Sequence, residues 1–367
     1  MKDLHEIEFI EILANLPDIK EFTINSDLCN LSDDVFLCAL GFEDRCPWIA
    51  ESLSENGTYR SKKSFYFRYA TNIADNKDNE PRLLVALDKF SSSVKPLDCD
   101  DEDFPLRLRN ILNQICKNKD MPSITFDVSV CSSKLLILSL KIILEYNVML
   151  KILYSEAGVY HPTKEEYNKN SENWKKEDGF GLAKGVQKII PSSEHPGNRR
   201  DQLPESIIVF PTFKPERARA VIIDIDPSLA QNPKDRVLWI VGEPHLPDDG
   251  WRAGALKEIN QIPDSTACYQ VSTLYYKKTV ECLESIYKPR ECDYHINICP
   301  LGSKMQALGI ALFCYVHQDV SIVFAIPEEY NASEYTEDCK ATWMIDFCST
   351  QQLRSLLDSV GQITIQK

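Results

Sequence analysis

One segment of the sequence combines glycine, serine and lysine, residue types that bind anions at the start of a helix. PLGSKMQALG (300–309) leaves a strand-like apolar run and enters a helical one. There the backbone amides of 301–303 and the ammonium group of Lys304 can meet an anion. Gly302 permits close backbone approach, and Ser303 can serve as N-cap or ligand donor. We predict an anion-binding loop, with a plain capped helix and a solvated lysine as the structural alternative.

Two further segments, GFEDR (41–45) and TFKPER (212–217), follow strand-like runs and end in an acid and an arginine. Arg45 and Arg217 can form bidentate contacts with a phosphate or a carboxylate. The alternative is that a neighbouring acid, Glu43, Asp44 or Glu216, pairs with the arginine and fixes the loop. The same three acids are the candidates for acid or base catalysis if the protein is an enzyme.

These segments recur because the chain is internally repeated. An ungapped shift of 170 residues places 124–162 on 294–332. The pairs are Asp127 with Asn297, Ser133 with Ser303, Lys134 with Lys304, Tyr154 with Phe324, and Tyr160 with Tyr330. Arg45 precedes Lys134 by 89 positions and Arg217 precedes Lys304 by 87, so two units of similar layout follow one another. Tyr160 and Tyr330 each follow a fifth strand, where they can stack on a base or simply pack.

The elements that must carry these residues alternate between strand and helix. Short β-rich runs such as VFLCAL (35–40) and VLWIVGE (237–243) are separated by amphipathic helical stretches. This alternation favours parallel βαβ units, so we predict an α/β protein of two tandem, doubly wound Rossmann-like units related by internal duplication. Ligands of such sheets bind at the carboxyl ends of the strands, which is where the loops described above fall.

The same patterns predict the domain organisation. We expect an N-terminal helical cap at 1–30, a first unit at 31–163, a polar linker or insert at 164–205, and a second unit at 206–367. Within the linker, GFGLAKGVQKII (179–190) has the pattern of an added edge strand. The strand-like run in 342–360 is expected to close the sheet of the second unit and to add a helix.

Composition limits the class of partner. Lys and Arg total 41 and Asp and Glu total 55, giving a net charge of −14, so a few focused cations must bind a small anionic ligand and no coating of nucleic acid is expected. The sequence has no run of 18 apolar residues and no signal-peptide layout, which predicts a cytoplasmic protein without membrane association. The 13 cysteines are scattered without Cys-x-x-Cys spacing, and several, such as Cys38 and Cys299, lie in apolar runs. We predict reduced structural thiols, and neither a metal nor a cofactor.

Neither G-x-G-x-x-G nor G-x-x-x-x-G-K-[ST] occurs, which argues against Rossmann dinucleotide binding and P-loop NTP hydrolysis. INICPLGSKMQALGIAL (296–312) resembles the loop, usually T-G-G-T-K-x-M, that follows the fourth strand of CRISPR-associated Rossmann-fold (CARF) domains. The matching residues are Gly302, Ser303, Lys304 and Met305, while Leu301 replaces the first glycine. In the first unit Ser133 and Lys134 match, with Ser132 in place of glycine. That family binds cyclic oligoadenylate at this loop, so the resemblance implies a sensor or accessory subunit in prokaryotic antiviral defence.

Three functions fit these observations. The leading hypothesis is the binding of a nucleotide or another phosphorylated ligand at the strand carboxyl edges, with a protein partner or effector for any output. The second is an enzyme acting on a nucleotide or nucleoside, in which Glu43, Asp44 or Glu216 is the acid or base. The third is a protein-interaction scaffold.

Overall fold

The chain folds into two compact units, which a computed structural model describes for residues 11–23, 32–169, 183–198, 202–231, 233–264, 266–327, 329–330 and 335–365. The first unit comprises 14–161 and 332–356, and the second comprises 1–13, 162–331 and 357–367. Of the predicted cap, 1–10 and 24–30 lie outside the described residues, and 11–14 are helical.

Seventeen strands are present in the described residues. In chain order they are β1 (Lys20–Glu21), β2 (Ser32–Ala39), β3 (Arg60–Arg68), β4 (Val94–Asp98), β5 (Ser123–Asp127), β6 (Met149–Glu156), β7 (Val159–Tyr160), β8 (Ala183–Lys184), β9 (Lys188–Pro196), β10 (Glu205–Phe210), β11 (Val237–Glu243), β12 (Cys268–Ser272), β13 (His295–Pro300), β14 (Ser321–Ile326), β15 (Glu329–Tyr330), β16 (Thr336–Glu337) and β17 (Ala341–Ser349).

The helices alternate with these strands as the sequence predicts. They are α1 (Trp48–Asn56), α2 (Ile73–Asn76), α3 (Asn79–Phe90), α4 (Phe104–Asn118), α5 (Ser133–Ile143), α6 (Lys164–Lys169), α7 (Pro215–Ile225), α8 (Pro227–Gln231), α9 (Trp251–Ile259), α10 (Tyr276–Tyr287), α11 (Lys304–Val316) and α12 (Thr350–Ile365). Helix α4 shows why such segments fold: Phe104, Leu108, Leu112 and Ile115 recur at helical spacing and are all buried.

Both units contain the same five-stranded parallel sheet. In the first unit the order is β6-β5-β2-β3-β4, and in the second it is β14-β13-β10-β11-β12. The central strands β2 and β10 are almost wholly buried, because helices cover both faces of a doubly wound sheet. The α/β class and the internal duplication are therefore confirmed. Cys38, Cys131, Cys299 and Cys314 are buried as expected and form no disulfide within the described residues.

Each parallel sheet is extended by an antiparallel sixth strand, and its origin differs from the prediction. Strand β17 pairs with β6 of the first unit, and β9 pairs with β14 of the second. The expectation that 342–360 closes the second sheet is wrong, because the alternation in this run fixes which face is buried but not which sheet edge it joins. The predicted linker 164–205 does add an edge strand, but this strand is β9 at 188–196, which overlaps the predicted run 179–190 only at its end.

The difference in residue number between equivalent positions of the two units changes along the chain. Asp33 Oδ2 accepts a hydrogen bond from Thr125 Oγ1 (2.6 Å), and Glu205 Oε2 accepts one from Asn297 Nδ2 (2.8 Å), so both partners are shifted by 172 residues. The 170-residue shift, which aligned Asp127 with Asn297, is therefore wrong by two residues at this strand. The slip arises after the fourth strand, where 128–132 separate β5 from α5 but only 301–303 separate β13 from α11. The counterpart of Asp127 at the offset of 172 is Cys299.

Candidate functional site

The two loops that carry the predicted arginines, serines and lysines lie at the topological switch point of each sheet. The first strand of each unit, β2 or β10, lies between the second and the fourth, so the loops after the first and fourth strands flank one crevice. These loops approach closely in both units. A Cβ added to Gly41 would lie 3.1 Å from Val130 Cβ, and one added to Gly302 would lie 3.3 Å from Phe210 Cβ.

In the first unit, Arg45 is fully engaged by the protein. Its Nε and one terminal nitrogen donate to Glu43 Oε2 at 3.0 and 2.7 Å, and the other donates to the carbonyl of Ser155 at 2.7 Å. Arg45 is 3% exposed and Glu43 is 6% exposed. Burial alone would lower the pKa of Arg45, but the adjacent Glu43 carboxylate outweighs it and raises that pKa well above its usual value. Here the loop-fixing alternative is what the structure shows.

Residues outside the predicted set complete this cluster. Thr336 donates to Glu43 Oε2 (2.7 Å), and Tyr335 packs edge-on against Phe42 with ring centroids 5.6 Å apart. The hydroxyl of Tyr160 lies 2.9 Å from that of Tyr154. The Arg45 guanidinium lies 5.9 Å from the Tyr160 ring centroid and 5.7 Å from that of Tyr154. Tyr160 thus packs beside a buried arginine, and the segment around β16 covers this loop.

A buried carboxyl group lies at the end of the neighbouring strand β5. Asp127 is 3% exposed and accepts hydrogen bonds from the backbone amide of Ser129 (2.9 Å) and from its hydroxyl. Burial raises the pKa of Asp127 to about 6, although the Ser129 hydrogen bonds and the charge of Arg45 oppose the shift. Above that pH the switch point of the first unit therefore carries a negative charge.

The loop before α5 has its backbone donors engaged internally. The Cys131 amide bonds to the Val128 carbonyl (3.2 Å), and the Ser132 amide donates to the Tyr69 hydroxyl (2.7 Å). Ser132, not Ser133, is the N-cap, because its hydroxyl accepts from the Leu135 amide (3.1 Å). Ser133 and Lys134 lie half-buried in the first helical turn, and no contact joins them to Arg45 among the described residues.

In the second unit, Arg217 repeats one contact of Arg45 and lacks the rest. A terminal nitrogen donates to the carbonyl of Ala325 at 2.7 Å, and Ala325 follows Ser155 by 170 residues. The Arg217 Nε is shielded from solvent without a hydrogen-bond partner. Among the described residues Arg217 makes no ion pair. Its charge lies near the buried thiol of Cys299, whose pKa burial raises to about 12.

The predicted anion loop of the second unit is held by a capping box. The Ser303 hydroxyl accepts from the Gln306 amide (3.1 Å) and donates to the Thr273 carbonyl (2.7 Å), while Gln306 Oε1 accepts from the Ser303 amide (2.9 Å). A Cβ on Gly302 would lie 2.2 Å from Gln306 Oε1, so a larger residue there would displace the Gln306 side chain from the capping box. The S-x-x-Q spacing of Ser303 and Gln306 is a capping-box signal, which the sequence prediction did not use.

The remaining candidates are dispersed over the two units. Lys304 lies half-buried in the first turn of α11, and Glu216 lies 3.6 Å from the ammonium group of buried Lys214. Asp44 is exposed. The backbone of Tyr330 pairs with Ala183 in a two-stranded ladder, and its side chain lies outside the described residues. The structure therefore brings Glu43, Arg45 and Tyr160 together, and it places Arg217, Gly302, Ser303 and Lys304 at one sheet edge without a contact that joins Arg217 to the loop.

Comparison with known proteins finds only weak structural similarities. No protein-family model matches the chain, and no curated protein resembles it significantly. A universal stress protein from Archaeoglobus fulgidus matches 82% of this chain and 98% of its own, with 10% identity and a TM-score of 0.23. A protein assigned as UDP-N-acetylglucosamine 2-epimerase from Listeria monocytogenes matches 91% of both chains, with 10% identity and a TM-score of 0.22. At such TM-scores neither similarity bears on the function of this chain.

The helices give one further result. Among the described residues, no helix has both the length and the apolar character needed to cross a bilayer.

Proposed function

We propose that the protein binds one small anionic ligand, a nucleotide or another phosphorylated molecule, at the switch point of the second unit. The ligand lies between the loop that carries Arg217 and the loop 300–304. The observation that carries this proposal is the contrast between Arg45, whose charge is matched by Glu43, and Arg217, whose charge has no carboxylate partner among the described residues.

The contrast favours an anion because a guanidinium offers five donors in a planar fork that fits phosphate. Arg217 uses one nitrogen on the Ala325 carbonyl, which fixes the side chain and leaves donor capacity unused. A phosphate beside the guanidinium would supply the missing negative charge and could accept a hydrogen bond from the other terminal nitrogen.

The two switch points also differ in charge. The first unit places the Asp127 carboxyl at the end of its fourth strand, which repels an anion above a pH of about 6. The second unit has the neutral Cys299 thiol at the equivalent position. Because the first unit is filled by its own Glu43, Thr336 and Asp127, we propose a single ligand per chain.

The loop 300–304 supplies further favourable groups. Helix α11 has 13 residues, and the partial positive charge of its N-terminus acts together with Lys304. Gly302 allows the loop to lie close to Phe210, at the end of the neighbouring first strand of the unit. The resemblance of this loop to that of CARF domains makes cyclic oligoadenylate a natural candidate, and a defence role for the protein rests on that resemblance alone.

Isothermal titration calorimetry of the full chain with AMP, ATP and cyclic tetra-adenylate tests the proposal. We expect saturable binding at one site with at least one of the three. Arg217→Lys, which keeps the charge but loses the fork, and Lys304→Ala should each weaken binding about tenfold, as expected for the loss of a charge-assisted hydrogen bond. Raised salt should weaken binding further.

The chain contains its own matched control. Lys134 occupies the first turn of α5 in the first unit, as Lys304 does in α11. Lys134→Ala should leave affinity and stoichiometry unchanged. The proposal is wrong if none of the three compounds binds, if two ligands bind per chain, or if Lys134→Ala weakens binding as much as Lys304→Ala does.

A further inference from the structure

The first unit carries a groove on its side, outside the switch point. The groove has a volume of about 470 Å³, within the range of small-molecule sites, and lies between helix α1 and the edge formed by β1 and the start of β17. Trp48 and Glu55 line it from α1, and Glu21 from β1. Cys339, which precedes β17, and Thr342, which lies in it, also line the groove and are half-buried and buried, respectively.

The same place is filled in the second unit. Strand β9 is the counterpart of β17, with Val186 in place of Cys339 and Ile189 in place of Thr342. Both aliphatic side chains pack against the core cluster that includes Ile222 of α7. Equivalent backbone therefore forms apolar packing in one unit and an open polar groove in the other, so the groove does not follow from the fold itself.

Trp48 distinguishes the groove most clearly. It is 43% exposed although it is among the largest apolar side chains, and its counterpart at the offset of 172 is the small Ala220. Ser52 and Glu55 follow it at helical spacing, so one face of α1 presents an aromatic ring, a hydroxyl and a carboxylate to the groove. A tryptophan ring attracts organic cations through the cation–π interaction, and carboxylates in the same groove add charge attraction.

We propose that this groove binds a small organic cation with an ammonium or guanidinium group, held against the Trp48 ring by Glu21 and Glu55. Lys340 also lines the groove, which leaves a net lining charge of −1 from two carboxylates and one ammonium. The charge of the ligand therefore determines the effect of removing the Lys340 ammonium group. Its removal should tighten the binding of a cation and weaken that of an anion. The site is independent of the anion site proposed in the second unit.

Titration calorimetry of the full chain with tetramethylammonium and with spermidine at low ionic strength tests the groove. Trp48→Ala should weaken binding about tenfold, whereas Trp48→Phe, which keeps an aromatic face, should retain most of the affinity. Glu55→Gln should weaken binding about threefold or more, and Lys340→Gln should strengthen it.

Glu51→Gln is the matched control, because Glu51 lies on the same helix but pairs with Arg82, with atoms 2.9 Å apart, and does not line the groove. It should leave the affinity unchanged, which separates the groove from general attraction to an acidic protein. The inference fails if neither cation binds saturably, if Trp48→Ala and Glu51→Gln behave alike, or if Lys340→Gln weakens binding. Loss of AMP, ATP and cyclic tetra-adenylate binding would not affect it.

Discussion

Gly185 and Asp338 share a left-handed backbone conformation, with φ of 49° and 53°, at the same point of two equivalent connections. Gly185 lies between β8 and β9, and Asp338 lies between β16 and β17. Both connections have three residues, and both lead into a nine-residue strand that runs antiparallel to a fifth strand. The registers agree as well, because Phe324 faces Ile190 and Tyr154 faces Trp343.

These two segments, each made of a short strand, a three-residue connection and a nine-residue strand, are therefore counterparts that have exchanged sheets. The segment 183–196 follows the first unit in the chain but completes the sheet of the second, and 336–349 follows the second unit but completes the sheet of the first. The exchange explains why residues 332–356 belong to the first unit. Neither sheet is therefore completed by the segment that directly follows its own repeat in the chain.

Gly185→Ala should destabilise the protein by about 1 kcal/mol, because a Cβ is disfavoured in the left-handed region. Asp338→Gly should change stability by less than about 0.5 kcal/mol, since Asp tolerates this region and the added glycine costs backbone entropy. Urea denaturation measures both. If the two substitutions destabilise the protein equally, the left-handed backbone conformation does not set the cost at both connections.

Arg45→Met should destabilise the first unit by about 3 kcal/mol or more, because it leaves the buried Glu43 carboxylate without its counter-charge. The double variant Arg45→Met with Glu43→Gln should be more stable than the single variant by about 1 kcal/mol, since the stranded charge is gone. Urea unfolding monitored by circular dichroism gives these differences.

The control for this prediction is the more exposed pair of Arg109 and Glu145, whose atoms also lie 2.7 Å apart. Arg109→Met should cost no more than about 1 kcal/mol, because solvent screens such a pair. A cost equal to that of Arg45→Met would show that burial does not set the importance of the Arg45 contact.

Asp127 predicts a pH dependence of stability. Its pKa is raised from 3.8 to about 6 in the folded state, so the folded protein favours the protonated form, and this contribution is lost as the pH rises through that range. Asp127→Asn should therefore gain about 2 to 3 kcal/mol relative to the natural protein between pH 4 and 7. Urea unfolding of both proteins at a series of pH values measures this difference.

Asp34 predicts the opposite slope. Burial would raise its pKa, but hydrogen bonds from Lys119 and Lys62 outweigh it and lower the pKa below the usual 3.8. Its contribution is therefore complete above that value and is lost as the pH falls. Asp34→Asn should be less stable than the natural protein at pH 7, and the difference should shrink below pH 4. A difference in stability that does not change with pH would contradict the lowered pKa of Asp34.

The elements themselves could be predicted from sequence, because their signals are local. The run 237–243 forms β11 as expected, and 35–39 of the run 35–40 lie in β2. The sheet that 342–360 joins could not be predicted, because the residues of an edge strand do not indicate which strand it pairs with. The role of the arginines stayed open because an acid neighbour and a phosphate offer the same contact. Burial and the position of Thr336, 291 residues after Arg45, distinguish the two units.

Thr336→Val tests the contact that holds the exchanged segment to the first unit. Valine has the shape of threonine but cannot donate to Glu43 Oε2, so we expect a loss of about 1.5 to 3 kcal/mol, the usual contribution of a hydrogen bond to a charged group. Hydrogen exchange should accelerate in 336–349, while its counterpart 183–196 in the second unit keeps its protection. Thr336→Ser, which retains the donor, should behave like the natural protein. If exchange accelerates in both segments or in neither, the hydroxyl of Thr336 does not hold the segment specifically, and the cover over the Glu43 and Arg45 loop must depend on the β7 and β16 ladder alone.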